Sequence, residues 1–273
     1  MESQICELIK TISYSSLEDW RYCPYYYKLR YLDKLKPFTN NLWTHFGKLV
    51  HRHLQNVLIE KEEPHESADR FLKIWNRFCR FYKKQIEEEF GKDFYAAGFG
   101  TPVSKAIRTI RDEIQNEFGN YKVLKIEENL FLPNENYPQK FAGYIDLVLE
   151  LEDGRIIILD IKTCESSYMF NKFKAKYKDY QLTLYKHFFA IKHSIELDKI
   201  DTYFVTVERN HKSKKPLKLF KVSSGQKKLK NATEWLQNSL GGINKGLWIK
   251  NRMSCHKYGP DHKCFFYQTK HCK

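Results

Sequence analysis

The sequence predicts an α/β sandwich with a helical N-terminal arm, and three observations carry that expectation. Helical segments, marked by apolar residues at helical spacing, occupy the first 118 residues. Five short runs rich in Ile, Leu, Val and aromatic residues then follow between residues 122 and 222. One more helical segment interrupts those runs and another follows them.

Taken in order, residues 15–32 read as a first helix and residues 43–60 as a second, which carries His51. After a polar break at 61–67, residues 68–90 place Phe71, Leu72, Trp75, Phe78 and Tyr82 at core spacing. Residues 91–102 read as a loop and 104–118 as a helix again. Strands are expected at 122–132, 141–150, 155–163, 200–208 and 217–222, with helices at 175–192 and 225–240. The chain then divides into a helical region 1–121, a core 122–241 and a cysteine-rich segment 242–273 packing back on the N-terminus.

The stretch from Phe141 to Thr163 carries the chemistry. Asp153-Gly154 between two apolar runs is a hairpin signal. Asp160 and Lys162 stand two apart on one strand, so both leave the same face of the sheet. Register decides whether Asp146 joins them. A strict two-residue turn puts Asp146 opposite Ile161, on the wrong face. A three-residue loop, with Gly154 supplying the positive φ, pairs Leu151 with Arg155 and Asp146 with Asp160. The odd-length loop or a compensating bulge is therefore expected. Two carboxylates facing each other across a ladder repel, and a cation between them relieves the repulsion. The flanking Ile156, Ile158, Ile157, Leu159 and Ile161 make both faces apolar, and charges in a covered sheet need a reason.

Composition fits a polyanionic ligand. Lys and Arg number 47 against 33 Asp and Glu, a formal charge of +14. Lys172, Lys174, Lys176 and Lys178 form one cluster, and Lys212, Lys214, Lys215 and Lys218 another. The first reads as a rim that guides a nucleic-acid strand. The second sits in a polar loop, where such runs are usually solvated faces. Tyr25, Tyr26, Tyr27 and Tyr31 either stack bases or pack a helix.

Seven cysteines form a second set. Cys255, Cys264 and Cys272 crowd the C-terminal end and Cys23 stands near the start, a division suited to a site that ties the two ends together. A thiolate tetrad takes either a [4Fe-4S] cluster or Zn²⁺. His256 and His262 add to the case for zinc, while Cys6, Cys79 and Cys164 stand apart. An odd cysteine count and the lack of a basic-then-apolar leader argue for a reducing cytoplasm over a disulfide framework. No apolar run approaches the roughly 18 residues of a membrane span.

The pattern G-x-x-D at Gly143 to Asp146, then a hairpin and D-x-K-T at Asp160 to Thr163, resembles the PD-(D/E)XK nuclease superfamily. Gln181 and Tyr185 resemble the Q-x-x-x-Y motif of its RecB-like branch, and Gly47 to His51 is similar to that branch's G-x-x-x-H motif. Ser13 to Leu17 leading to Cys23-Pro24 resembles the opening of members that carry an iron-sulfur cluster. The resemblance implies a restriction-endonuclease-like mixed central sheet flanked by helices, with His51 as a metal ligand and Gln181 and Tyr185 at the site. It also implies that Cys23 and the three C-terminal cysteines hold iron and sulfur, although C-x8-C-x7-C is looser than the relatives' compact spacing.

With those roles, Asp146, Asp160, His51 and the main-chain carbonyl of Ile161 make an oxygen-rich site with one nitrogen, suited to Mg²⁺ or Mn²⁺. Such an ion polarises the scissile phosphate and activates water, and Lys162 orients or deprotonates that water or stabilises the developing charge. Glu127 and Glu128, on the strand before the hairpin, either extend the acidic site or flank it. The implied activity is a DNA nuclease, an exonuclease or end-processing enzyme of recombination, repair or CRISPR-type adaptation. Its substrate is DNA, single-stranded or with free ends, with a recombination, repair or helicase partner. The competing readings are a non-catalytic nucleic-acid-binding module and a structure-specific or RNA-directed endonuclease.

Overall fold

The structure, a computed structural model, describes residues 9–35, 42–94, 96–134, 136–173, 178–256 and 264–273. In chain order its elements are β1 (Thr11–Ser13), α1 (Tyr14–Tyr22), α2 (Pro24–Tyr27) with a π-helical turn at Lys28–Leu32, α3 (Leu42–Leu58), α4 (Pro64–Phe81) and α5 (Lys83–Phe90). There follow α6 (Gly100–Phe118), β2 (Tyr121–Leu132), β3 (Lys140–Leu151), β4 (Ile156–Cys164), α7 (Ser167–Phe173), α8 (Lys178–His193), β5 (Ile200–Glu208), β6 (Leu217–Lys221) and α9 (Gln226–Asn244).

Several helices differ from expectation for local reasons. The helix expected at 15–32 is broken at Cys23, which is extended at φ −157° and ψ 106°. A residue before proline is pushed from the helical region, and Pro24 instead starts α2. The helix expected at 68–90 begins earlier, at Pro64, and splits at Tyr82, whose φ of −97° and ψ of 16° leave the helical region. Gly100 opens α6 within the expected loop, because its bare Cα lies against Leu72 and Trp75, which an added Cβ would meet at 2.9 and 3.1 Å. The segment expected to be helical at 175–192 is helical over Lys178–His193, the expectation for 175–177 lies outside the described residues, and α7 is a helix beyond those expected. The last helix runs on to Asn244.

The chain forms two compact units. One comprises Met1–Thr39, Asn129–Gly143 and Gln226–Lys273. Within it β1 runs parallel to the start of β3, pairing Thr11 with Lys140 and Ser13 with Ala142. Ser13 caps α1 in a capping box with Ser16. Trp20 meets Tyr27 and Trp248 edge-on at 5.8 and 5.6 Å, and Gly242 of α9 admits Trp20 where a Cβ would collide at 2.6 Å. Tyr27 packs against Trp248 and is buried in this core, while half-buried Tyr26 packs against Phe266.

The other unit comprises Asn40–Glu128 and Tyr144–Gly225. Its sheet is mixed: β3 and β4 are antiparallel, β4 and β5 parallel, β5 and β6 antiparallel. The parallel pair requires a crossover, and α7 and α8 supply it. Leu147, Leu149, Leu151, Ile157, Leu159, Ile161, Val205 and Val207 point from one sheet face into a core shared with Phe46, Val50, Phe71, Trp75 and Ile107 of α3, α4 and α6. Asp160 and Lys162 alternate with those residues and so project from the opposite face.

Gly154 fixes the hairpin. It sits at φ +79°, and nothing lies within 4 Å of a Cβ built there, so the demand on this position is conformational and not steric. Gly154→Ala is expected to cost about 1–2 kcal/mol, the penalty of a left-handed backbone for a residue with a Cβ. Urea denaturation should show a lower midpoint with an unchanged slope.

Candidate active site

The β3–β4 loop has the odd length that the charges require. Leu151 N–H donates to Arg155 O at 2.9 Å and Gly154 N–H to Leu151 O at 3.0 Å. Leu147 pairs with Leu159 and Glu150 with Ile156. One step further, this register sets Asp146 opposite Asp160. There the Asp146 side chain takes over from the ladder: its Oδ2 accepts the Ile161 N–H at 2.6 Å.

Two groups of side chains surround that pair. In the first, His51 of α3 brings Nδ1 to 3.3 Å from Oδ1 of Asp146. Glu127 completes it, and one ligand atom from each of His51, Glu127 and Asp146 lies within 4.8 Å of the others. In the second, Asp160 is only 2% exposed. Its Oδ2 pairs with Lys162 Nζ at 2.6 Å and its Oδ1 accepts from Gln181 Nε2 at 3.2 Å. Gln181 also donates to the Tyr185 hydroxyl at 3.1 Å, one helical turn along α8. Ile161 enters the site through its main chain.

Glu127 and Glu128 part company. Glu127 has φ +50°, the left-handed region, which costs a non-glycine residue roughly 1–2 kcal/mol. Glu128 is buried and tied to Lys192 and His193 of α8, each at 2.8 Å. Sequence reasoning could not choose between them, because strand alternation says which two faces they take but not where the backbone turns. It also missed Gln55, whose Nε2 donates to Oε1 of Glu127 at 2.7 Å and to the main-chain O of Asp146 at 3.0 Å. The available signal was its spacing, four residues beyond His51.

The charges of the site are coupled to one another. Burial alone would lower the pKa of His51, but the hydrogen bond and charge of Asp146 outweigh it and raise it. Burial likewise works against ionisation of Asp146, and His51, Lys162 and the Ile161 N–H together hold its carboxyl below the usual range. Asp160 is pushed up to about 6, first by burial and then by the charge of Asp146, against the pull of Lys162. Burial would lower Lys162, but Asp160 and Asp146 keep it well above the ordinary lysine range. Tyr185 rises to about 12 through burial and the Asp160 charge. Three oxygen-rich groups and one imidazole match the donor chemistry of Mg²⁺ or Mn²⁺.

A second candidate site lies within the other unit. Cys23, Cys255, Cys264 and Cys272 all line one cavity of about 230 Å³ with Tyr25, Tyr26 and Phe266. Cys23 Sγ accepts from the N–H groups of Tyr26 and Asn251, each at 3.4 Å, and Cys264 N–H donates to Cys255 O at 2.7 Å. Burial raises the Cys255 and Cys264 thiols, and the neighbouring thiols, Cys23 and Cys272 among them, raise them further. Cys6 and His262 lie outside the described residues, as do Lys174 and Lys176. Of the later lysines, Lys218 pairs with Glu208 at 3.6 Å.

A sequence model of the PD-(D/E)XK nuclease superfamily matches residues 11–265. The chain belongs to that superfamily. Superfamily members use divalent metals, in keeping with the donor group of His51, Glu127 and Asp146. No curated protein sequence matches the chain. Among solved structures, a Eubacterium rectale protein provisionally named an exonuclease aligns at TM-score 0.55 and 14% identity, over 89% of this chain and 84% of its own. That likeness supports the restriction-endonuclease-like fold with its mixed sheet flanked by helices. A second structure, SSO0001, aligns at TM-score 0.33 and 14% identity over 74% of this chain and 86% of its own, a level at which no correspondence is drawn. Among the described residues, no helix is long and apolar enough to cross a membrane.

Asp146 has a structural duty besides any superfamily chemistry. Asp146→Ala removes the acceptor of a buried main-chain N–H and is expected to cost the metal-free protein about 1–3 kcal/mol. Asp146→Asn keeps an acceptor oxygen and should cost less. Denaturation of both variants in chelator checks the order.

Proposed function

We propose that the chain is a metal-dependent deoxyribonuclease of the RecB-like branch that trims DNA from its ends. The observation that carries this reading is the meeting of His51, Glu127 and Asp146 beside an Asp160–Lys162 pair on one sheet. His51, Asp146 and Asp160, with the Ile161 carbonyl and Glu127, would hold Mg²⁺ or Mn²⁺. That ion supplies charge neutralisation at the phosphate and activation of water.

The chain's own residues do the rest. Lys162 stays charged between two carboxylates, so it orients the attacking water and stabilises negative charge developing on the phosphate. Gln181 fixes Asp160 and, through Tyr185, extends a line of polar groups along α8 toward the substrate. The excess of 47 basic over 33 acidic residues draws the polyanion. Lys172, Lys174, Lys176 and Lys178 are the proposed rim for the strand. Retention of Asp146, Asp160 and Lys162 together favours catalysis over a binding module that has lost its chemistry.

DNA and RNA strands carrying 5′ or 3′ labels, incubated with Mn²⁺, test the reading and give the polarity. Asp160→Ala or Lys162→Ala is expected to slow cleavage at least a hundredfold, on the order of 3 kcal/mol, while most DNA affinity remains. Full activity in Asp160→Ala would sink the proposal.

Cys23, Cys255, Cys264 and Cys272 are proposed to hold a [4Fe-4S] cluster, with Zn²⁺ as the alternative occupant. Their shared cavity and mutual electrostatic influence support a common cation. Protein purified without oxygen should be brown and contain iron and sulfide, whereas zinc leaves it colourless. Cys23→Ala should lower both metal content and stability, because binding energy acts as folding energy. Stable protein free of both metals would reduce the four thiols to coincidence.

A further inference from the structure

Gln55 stands one turn beyond His51 on α3, so both side chains leave the same helix face. It is 7% exposed, and its amide nitrogen has two protons to give. One goes to Oε1 of Glu127 at 2.7 Å and the other to the main-chain O of Asp146 at 3.0 Å. Both recipients belong to the donor group of His51, Glu127 and Asp146.

Glu127 needs such a hold. It is exposed, its backbone is in the left-handed region, and an exposed glutamate side chain otherwise samples many rotamers. The type of residue at position 55 is equally telling. Lysine or arginine there would neutralise Glu127 and repel a cation, and glutamate would repel Glu127 itself. A neutral amide donor orients the carboxylate and leaves its charge for the ion.

We propose that Gln55 is a positioning residue of the metal centre: it fixes Glu127 as a donor beside His51 and Asp146 and thereby sets the affinity for the divalent ion. The proposal rests on the metal-dependent nuclease reading.

Calorimetric titration of Mn²⁺ into the full chain without nucleic acid tests it. Gln55→Met keeps the volume and removes the donor, and it is expected to weaken binding by about 10–100-fold. Glu127→Gln should weaken it as well, and Gln55→Met added to Glu127→Gln should cost little more, as for residues that act as one unit. Turnover in Gln55→Met should shift to higher Mn²⁺ and recover near saturation, which a merely structural defect would not produce. Affinity within about twofold of the parent in a folded Gln55→Met protein, or an undiminished cost in the Glu127→Gln background, overturns the proposal. Should Gln55→Met fail to fold without metal, Glu127→Gln decides at an exposed position, with unchanged affinity counting against the proposal. Asp146→Asn separates the two levels: if it binds Mn²⁺ as tightly as the parent, the metal centre itself is wrong. If it loses Mn²⁺ while Gln55→Met does not, only the role of Gln55 falls.

Discussion

Asp146 binds the site to the fold. Its Oδ2 closes the end of the β3–β4 ladder by accepting the Ile161 N–H, while its Oδ1 faces His51. One carboxylate thus ends a sheet interaction and begins the proposed metal site. The arrangement exists only in the register set by the loop at Gly154, since a slip of one residue would turn Asp146 into the apolar core of α3, α4 and α6. Conformational demand at a surface glycine is in this way transmitted to a buried functional group.

The second constraint is charge. Asp146 and Asp160 lie opposite each other in a sheet buried on both faces, where desolvation and mutual repulsion both act against ionisation. Lys162 and His51 compensate in part and in different ways. Lys162 is a permanent cation beside Asp160, whereas a proton on His51 is the exchangeable partner of Asp146. The divalent ion proposed for this site would compete with that proton, so its binding would weaken as His51 is protonated.

How much of this was legible depends on the range of the interaction. The hairpin, its odd loop and the shared face of Asp160 and Lys162 follow from strand period and turn chemistry within about twenty residues, and they appear as read. His51, Gln181 and Tyr185 were reached through motif resemblance, because nothing local distinguishes them from other polar residues on helices. Helix ends were misjudged where proline acts by position: Pro24 breaks one helix and Pro64 starts another. Glu127 lay beyond reach for a sharper reason. Its neighbour Glu128 has identical chemistry, and the left-handed backbone at Glu127, which accompanies its carboxylate's approach to His51 and Asp146, is invisible in composition or periodicity.

The cysteine cavity obeys a different logic from the active site. Its thiols come from the break at Cys23 and from segments more than two hundred residues later, joined by Asn251 and Ser254 to the Tyr22 carbonyl at 2.8 and 2.6 Å. The proline that ends α1 also frees the Cys23 sulfur from helical packing and lets it accept the N–H groups of Tyr26 and Asn251. Burial and then the neighbouring thiols disfavour the thiolate at Cys255 and Cys264, and thiolate is the form that binds metal. Several thiolates gathered in one pocket repel one another, and the cation proposed for this cavity would offset that repulsion and hold both ends of this unit together.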